Sequence, residues 1–218
     1  MTELPGPLDD VTGIVLAGGR SSRFGSDKLA AGLDGRPLLH HALEAVAAVA
    51  GHVVVVAAPG ALPSIPEHLE SRVLVVHDPE SFGGPLVGLV AALSHVNSPV
   101  AIVVGGDMPR LVPAVLRRLL TALGPARAAI LEVPGRVQPL PAALDVPAAR
   151  AAGSEALAHG RRSLRDLLGG LDPVVLPAPV WLALDPAAAT ITDIDRPGDL
   201  ASTRAERHGG LDSPRRDD

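Results

Sequence analysis

The chain contains no cysteine and no tyrosine, and only one tryptophan and two phenylalanines. Without cysteine there is no disulfide framework, no thiolate metal site and no cysteine nucleophile. With so few rings and a net charge of −5, it lacks the basic patches and stacking faces that nucleic-acid binding uses. No apolar run reaches the roughly 20 residues of a membrane-spanning helix. The N-terminal MTELPGPLDD has neither the basic nor the apolar region of a signal peptide. These absences lead us to expect a soluble, cytoplasmic protein with neither a nucleic-acid nor a membrane partner.

What is present is a globular composition. Of 218 residues, 47% are hydrophobic and 20% charged, so the chain can bury a large core. That core has to be built from Val, Leu, Ala and Ile. Apolar, β-branched runs fall at residues 11–17, 52–58, 72–77 and 100–105. Each is nearly continuous, as a strand buried on both faces should be. Between them, residues 37–50, 85–96 and 113–123 read as helices, each opened by proline. Strands alternating with helices predict βαβ units and a mainly parallel sheet, hence an α/β fold. Past residue 125 the rhythm changes. Two strands are expected at 127–133 and 136–144, a helix at about 161–169, a strand at 173–176, an apolar run near 180–184 and a last helix from Pro197. We expect one domain at 11–206, its N-terminal half nucleotide-binding and its C-terminal half acceptor-binding. Tails would lie at 1–10 and 207–218.

The first strand-like run ends in LAGGRSSRFGSDK, residues 16–28. Glycines let a backbone approach a phosphate closely, with N–H groups aimed at it. Gly18, Gly19 and Gly25 supply that freedom, and Arg23 and Lys28 supply charge. Neither the dinucleotide fingerprint nor the P-loop pattern is present, because Gly25 is followed by Ser26-Asp27-Lys28. Asp107, in Gly105-Gly106-Asp107-Met108-Pro109, ends the fourth run, and ligands of open α/β sheets bind at such strand ends. Asp107 suits Mg2+, or equally a helix N-cap ahead of Pro109. Asp193 and Asp195 share one side of an extended segment. Either could be a second metal ligand, or Asp195 could cap the last helix. Arg161, Arg162 and Arg165 offer an acceptor phosphate site or a solvated face, with 161 and 165 on one side of the expected helix. His40 and His41 are adjacent without metal-ligand spacing, and Trp181 reads as a packed anchor.

These residues together resemble the MobA-like molybdenum cofactor guanylyltransferases. The opening loop is similar to that family's L-A-G-G-x-S-x-R-M-G-x-D-K, with Phe24 in place of Met. Asp78 with Gly84-Pro85-Leu86-Val87-Gly88 resembles its D…G-P-L-A-G. Gly106-Asp107-Met108-Pro109 resembles its G-D-M-P. Gln138-Pro139-Leu140, the stretch from Gly160 to Leu164, and the closing stretch from Asp193 to Leu200 resemble later family segments. The resemblance implies a Rossmann-like, three-layer nucleotidyltransferase fold and transfer of GMP from GTP to molybdopterin with release of pyrophosphate. It implies that Leu16, Ala17, Gly18, Gly19 and Asp78 line the nucleotide, that Lys28 contacts phosphates, and that Asp107 holds Mg2+; Asp195, a carboxylate of this sequence's own closing stretch, is expected as a second ligand. Lys28 and Arg23 would then stabilise the pyrophosphate leaving group. Transient contact with molybdenum-cofactor assembly proteins would follow as well.

The sequence departs from the family at Val56 to Gly60, which lacks its usual Asn, and at Asp193 and Asp195, where Asn is common. The paired glycines after Leu16-Ala17 favour GTP, since the cytidylyl relatives carry Ala at the first. The alternatives are a cytidylyltransferase, another NTP transferase acting on a small phosphorylated acceptor, and a nucleotide-binding protein without catalysis.

Overall fold

A computed structural model describes residues 6–18, 28–80, 83–133 and 136–194. In chain order it contains β1 (Leu8–Leu16), a small hairpin of β2 (Gly32–Leu33) and β3 (Arg36–Pro37), α1 (Leu38–Ala47) and β4 (Ala50–Ala57). There follow β5 (Val73–His77), α2 (Pro85–Leu93), β6 (Val100–Gly105), α3 (Pro113–Leu123), β7 (Ala128–Val133) and β8 (Arg136–Asp145). The last described elements are α4 (Val146–Ala158), α5 (Leu164–Leu171), β9 (Val174–Leu176) and α6 (Ala178–Leu182).

Seven strands form one sheet in the order β5-β4-β1-β6-β8-β7-β9. The first four are mutually parallel, and β8 alone runs against its neighbours β6 and β7. The α/β reading with a mainly parallel sheet therefore holds. All six β4 residues from Val53 to Ala57 and Ala50 that could face either layer are buried, which is why their sequence reads as a continuous apolar run rather than an alternating one.

Helices cover both faces. One layer is built on α1, α3 and α6, with Val15, Leu43, Leu116 and Trp181 in its core. The other is built on α2, α4 and α5, with Ile14, Val56, Leu89 and Leu167. Alternation along β1 sends Val15 to the first and Ile14 to the second. Gly13 faces the first layer and lets α1 approach: a Cβ there would lie 2.0 Å from Val46 Cγ1. Trp181 is the expected anchor, 1% exposed, its indole N–H donating to the Glu132 carbonyl at 2.9 Å.

Several elements differ from expectation. Two short strands not foreseen, β2 and β3, lie between the opening loop and α1. Their turn, Asp34-Gly35, has φ of 52° and 79°, the two-residue hairpin conformation that Asp-Gly favours. Of the 180–184 run, residues 180–182 lie in a short helix, α6. Helix α4 went unrecognised, although Asp145 caps it by accepting from the Ala148 N–H at 2.8 Å. Helix α5 starts at Leu164, capped by Ser163. Arg161 thus precedes it and shares no helical face with Arg165. The helix expected from Pro197 lies outside the described residues.

Candidate active site

From β1 the chain moves outward to β4 and β5, and from β6 it moves to the other side of the sheet. The direction reverses between β1 and β6, and a crevice at the carboxyl ends of such strands is where open α/β sheets bind ligands. Leu16 and Gly105, the last residues of these two strands, are register partners. The Ala17 N–H donates to the Val56 carbonyl at 2.8 Å, and the Gly106 N–H donates to the Leu16 carbonyl at 2.9 Å. Backbone pairing therefore carries the glycine loop and the Asp107 turn to adjacent positions on one rim.

The two meet through side chains. Lys28 opens a 3-10 turn, Lys28–Ala30, and its Nζ lies 2.9 Å from Asp107 Oδ2. The lysine side chain is 12% exposed and the aspartate 33%, so the carboxylate retains an open side. Lys28 is the sole lysine among 19 basic residues. That count is a sequence signal which motif comparison alone overlooks.

Asp107 caps no helix. The next one, α3, begins at Pro113, and its N-cap Val112 has no side-chain bond. The aspartate's carbonyl instead accepts from the Ile194 N–H at 3.0 Å. Ile194 is fully buried against Leu33 and Leu38, which pins the 193–194 segment beside the metal candidate. Asp193 is exposed on this segment. Asp195, Arg23 and Gly19 lie outside the described residues.

The rim continues at Asp78, just past β5. Its N–H donates to the Ala57 carbonyl at 2.8 Å, and its Oδ1 accepts from the Glu80 N–H at 3.0 Å. Its Oδ2 lies 3.4 Å from where a Cβ on Gly88 of α2 would sit. Leu16, Ala17, Gly18, Lys28, Asp78 and Asp107 are thus all placed at the carboxyl ends of β1, β4, β5 and β6. Gly18 needs no glycine for packing. A Cβ there would be in ordinary contact, 3.6 Å from the Ala57 and Ala58 backbone. Its bare backbone relieves no clash within the described residues.

A single carboxylate beside phosphate-binding groups is the donor set on which Mg2+ is commonly held, with substrate oxygens and water completing its shell. Among the described residues no group of three or more His, Asp or Glu could hold a metal by itself. His41 is buried with Nε2 2.9 Å from the Leu33 carbonyl, and His40 Nε2 is 3.0 Å from the Ser64 hydroxyl. Burial pulls the His40 pKa below its usual value. Among the described residues no helix is long and apolar enough to cross a membrane.

A charged pair near Asp78 leaves no sequence signal. Arg162, offered above as an acceptor ligand, has its guanidinium 2.6 Å from Glu80 Oε2.

The model of the MobA-like NTP transferase domain matches residues 13–174. A probable molybdenum cofactor guanylyltransferase of Chloroflexus aggregans is 32% identical over 89% of this chain and 94% of its own length. A molybdenum cofactor guanylyltransferase of Ralstonia nicotianae is 36% identical over 57% of this chain and 60% of its own. Among solved structures, the molybdopterin-guanine dinucleotide biosynthesis protein A of Archaeoglobus fulgidus superposes with a TM-score of 0.73 at 26% identity, covering 91% of this chain and 99% of that one. The 2-C-methyl-D-erythritol 4-phosphate cytidylyltransferase of Thermus thermophilus gives 0.67 at 18% identity, covering 89% and 98%. That second likeness concerns the fold alone.

Proposed function

The chain belongs to the MobA-like NTP transferase family and is a nucleotidyltransferase, and from that premise we propose that it transfers GMP from GTP to molybdopterin, releasing pyrophosphate. The observation that carries the reading is the Lys28–Asp107 pair at 2.9 Å, set where the strand order reverses. A cation and a carboxylate on one rim are what attack at an α-phosphate requires. The terminal phosphate of the acceptor is already anionic near neutral pH, so no general base is needed. The barrier is the approach of an anion to a polyanion, and it falls with positioning and charge neutralisation.

In this reading Leu16, Ala17, Gly18 and Gly19 line the nucleotide, and Asp78 holds the nucleoside. Lys28 turns from Asp107 to the departing pyrophosphate, with Arg23 assisting. Asp107 and Asp195 would hold Mg2+, which when bound neutralises charge at the α-phosphate. The N-terminal half of a single domain over residues 11–206 binds the nucleotide and the C-terminal half the acceptor. The work belongs in the cytoplasm, alongside the proteins that assemble the molybdenum cofactor. The bare Gly18 supports GTP, because nothing in the protein's own packing excludes a methyl group there.

The test is pyrophosphate release with molybdopterin and Mg2+, comparing GTP, CTP and ATP. GTP is expected to be used best. Preference for CTP would move the chain to a cytidylyl activity. Binding of a nucleotide without turnover would leave a non-catalytic binding protein.

A further inference from the structure

We infer that Glu80 and Arg162 are positioning residues which hold Asp78 in place and so tie the acceptor-side loop to the nucleotide site. The inference rests on the nucleotidyltransfer reading, in which Asp78 contacts the nucleoside.

The contacts form a closed ring. The Glu80 N–H donates to Asp78 Oδ1 at 3.0 Å. The Glu80 carboxylate accepts from Arg162 Nη1 at 2.6 Å. The Arg162 carbonyl accepts from the Leu86 N–H at 3.3 Å, at the start of α2. Two residues further along that helix, a Cβ on Gly88 would lie 3.4 Å from Asp78 Oδ2. Gly84 lets the ring close. Its φ is +95°, and a Cβ there would lie 2.8 Å from the Arg162 carbonyl oxygen.

Arg162 therefore holds two neighbouring segments, the start of α2 by its carbonyl and the loop after β5 by its guanidinium. The next residue, Ser163, caps α5. Two consecutive residues thus join the N-termini of α2 and α5, one on the nucleotide side and one on the acceptor side. A guanidinium committed to Glu80 is not simply a waiting phosphate ligand, and its effect on the reaction should pass through Asp78. The Arg162 and Glu80 side chains are 45% and 52% exposed. An exposed pair sustains only a modest effect, about three- to five-fold in affinity.

The experiment uses the full chain. Wild type is titrated calorimetrically with Mg2+ and each of the four nucleoside triphosphates, and the best-bound one is carried forward. Glu80→Ala, Arg162→Ala and the charge-swapped pair Glu80→Arg with Arg162→Glu are then compared for nucleotide Kd, kcat and both KM values. Thermal melts confirm folding. Each single variant is expected to weaken nucleotide binding about three- to five-fold with kcat within about two-fold of wild type, and the swapped pair to recover most of the loss. Unchanged nucleotide Kd in both single variants overturns the inference. So does an Arg162→Ala variant that raises only the acceptor KM, or a swapped pair with additive losses. A wild type that binds no nucleotide instead overturns the underlying nucleotidyltransfer reading.

Discussion

Replacing Gly105 with alanine should separate folding from catalysis. Gly105 ends β6, two residues before the metal candidate. A Cβ there would lie 2.5 Å from Asp107 Oδ1 and 3.3 Å from Met108 Cγ. Ordinary contact begins near 3.4 Å, so the carboxylate must retreat by about 0.9 Å, and a misplacement of about 1 Å costs on the order of 100-fold in rate. The displaced atom is the end of a short side chain, one-third exposed, so the fold absorbs the change at the low end of overpacking costs, about 1 kcal/mol. For a chain of this length that lowers Tm by about 2–4 °C. The expected result is a Gly105→Ala protein that melts close to wild type while kcat/KM falls about 100-fold, or about 2.7 kcal/mol of transition-state stabilisation. Acceptor-dependent pyrophosphate release and a thermal melt on the same preparation check both halves. Wild-type kcat/KM in a folded Gly105→Ala protein would refute the claim that the Asp107 carboxylate works from where the structure places it.

Lys28→Met should lose about 2–4 kcal/mol of transition-state stabilisation, roughly 30- to 900-fold in kcat/KM. Because Lys28 is the sole lysine, cyanate should modify only it and the N-terminal amine, and Mg·GTP should protect it in a mass-spectrometric assay. Gly13→Ala drives a methyl group to 2.0 Å from Val46 Cγ1 and should cost about 3 kcal/mol in urea denaturation. Adding Val46→Ala should restore part of that loss, and strictly additive losses would show that the two positions do not touch. In the α5 capping box, the Ser163 hydroxyl and N–H hold the Asp166 carboxyl below its usual pKa. Its contribution is present above the unfolded carboxylate pKa and fades as pH falls through the lowered folded value. The Tm gap between wild type and Asp166→Asn should accordingly be open at pH 7 and close in acid.

The central parallel strands were legible because strands buried on both faces must be apolar throughout, as Val53–Val56 and Ile102–Val104 are. Helix α4 was not, because its sequence is rich in Ala with weak periodicity, and its clearest signal was local: an Asp cap followed by Pro147. The hairpin before α1 was hidden in the same way. Its Asp34-Gly35 turn was readable, but strands of two residues leave no alternation to count. At the site, Lys28, Asp78 and Asp107 could be named from motifs, and the fold brings them to one rim. The roles of Gly105 and Arg162 could not, since they depend on through-space contacts. A missing Cβ beside a carboxylate and a carbonyl against a left-handed glycine leave no pattern along a chain.

In the proposed reaction Asp107, beside Lys28 at the reversal of strand order, sustains nucleotidyl transfer to molybdopterin. The most direct test of that role is pyrophosphate release from Mg·GTP with and without molybdopterin, in wild type and in Asp107→Ala. The account predicts acceptor-dependent release by wild type and none above background by the variant, with both proteins equally folded. Undiminished release by Asp107→Ala, or no acceptor-dependent release by wild type from any nucleoside triphosphate, would contradict it.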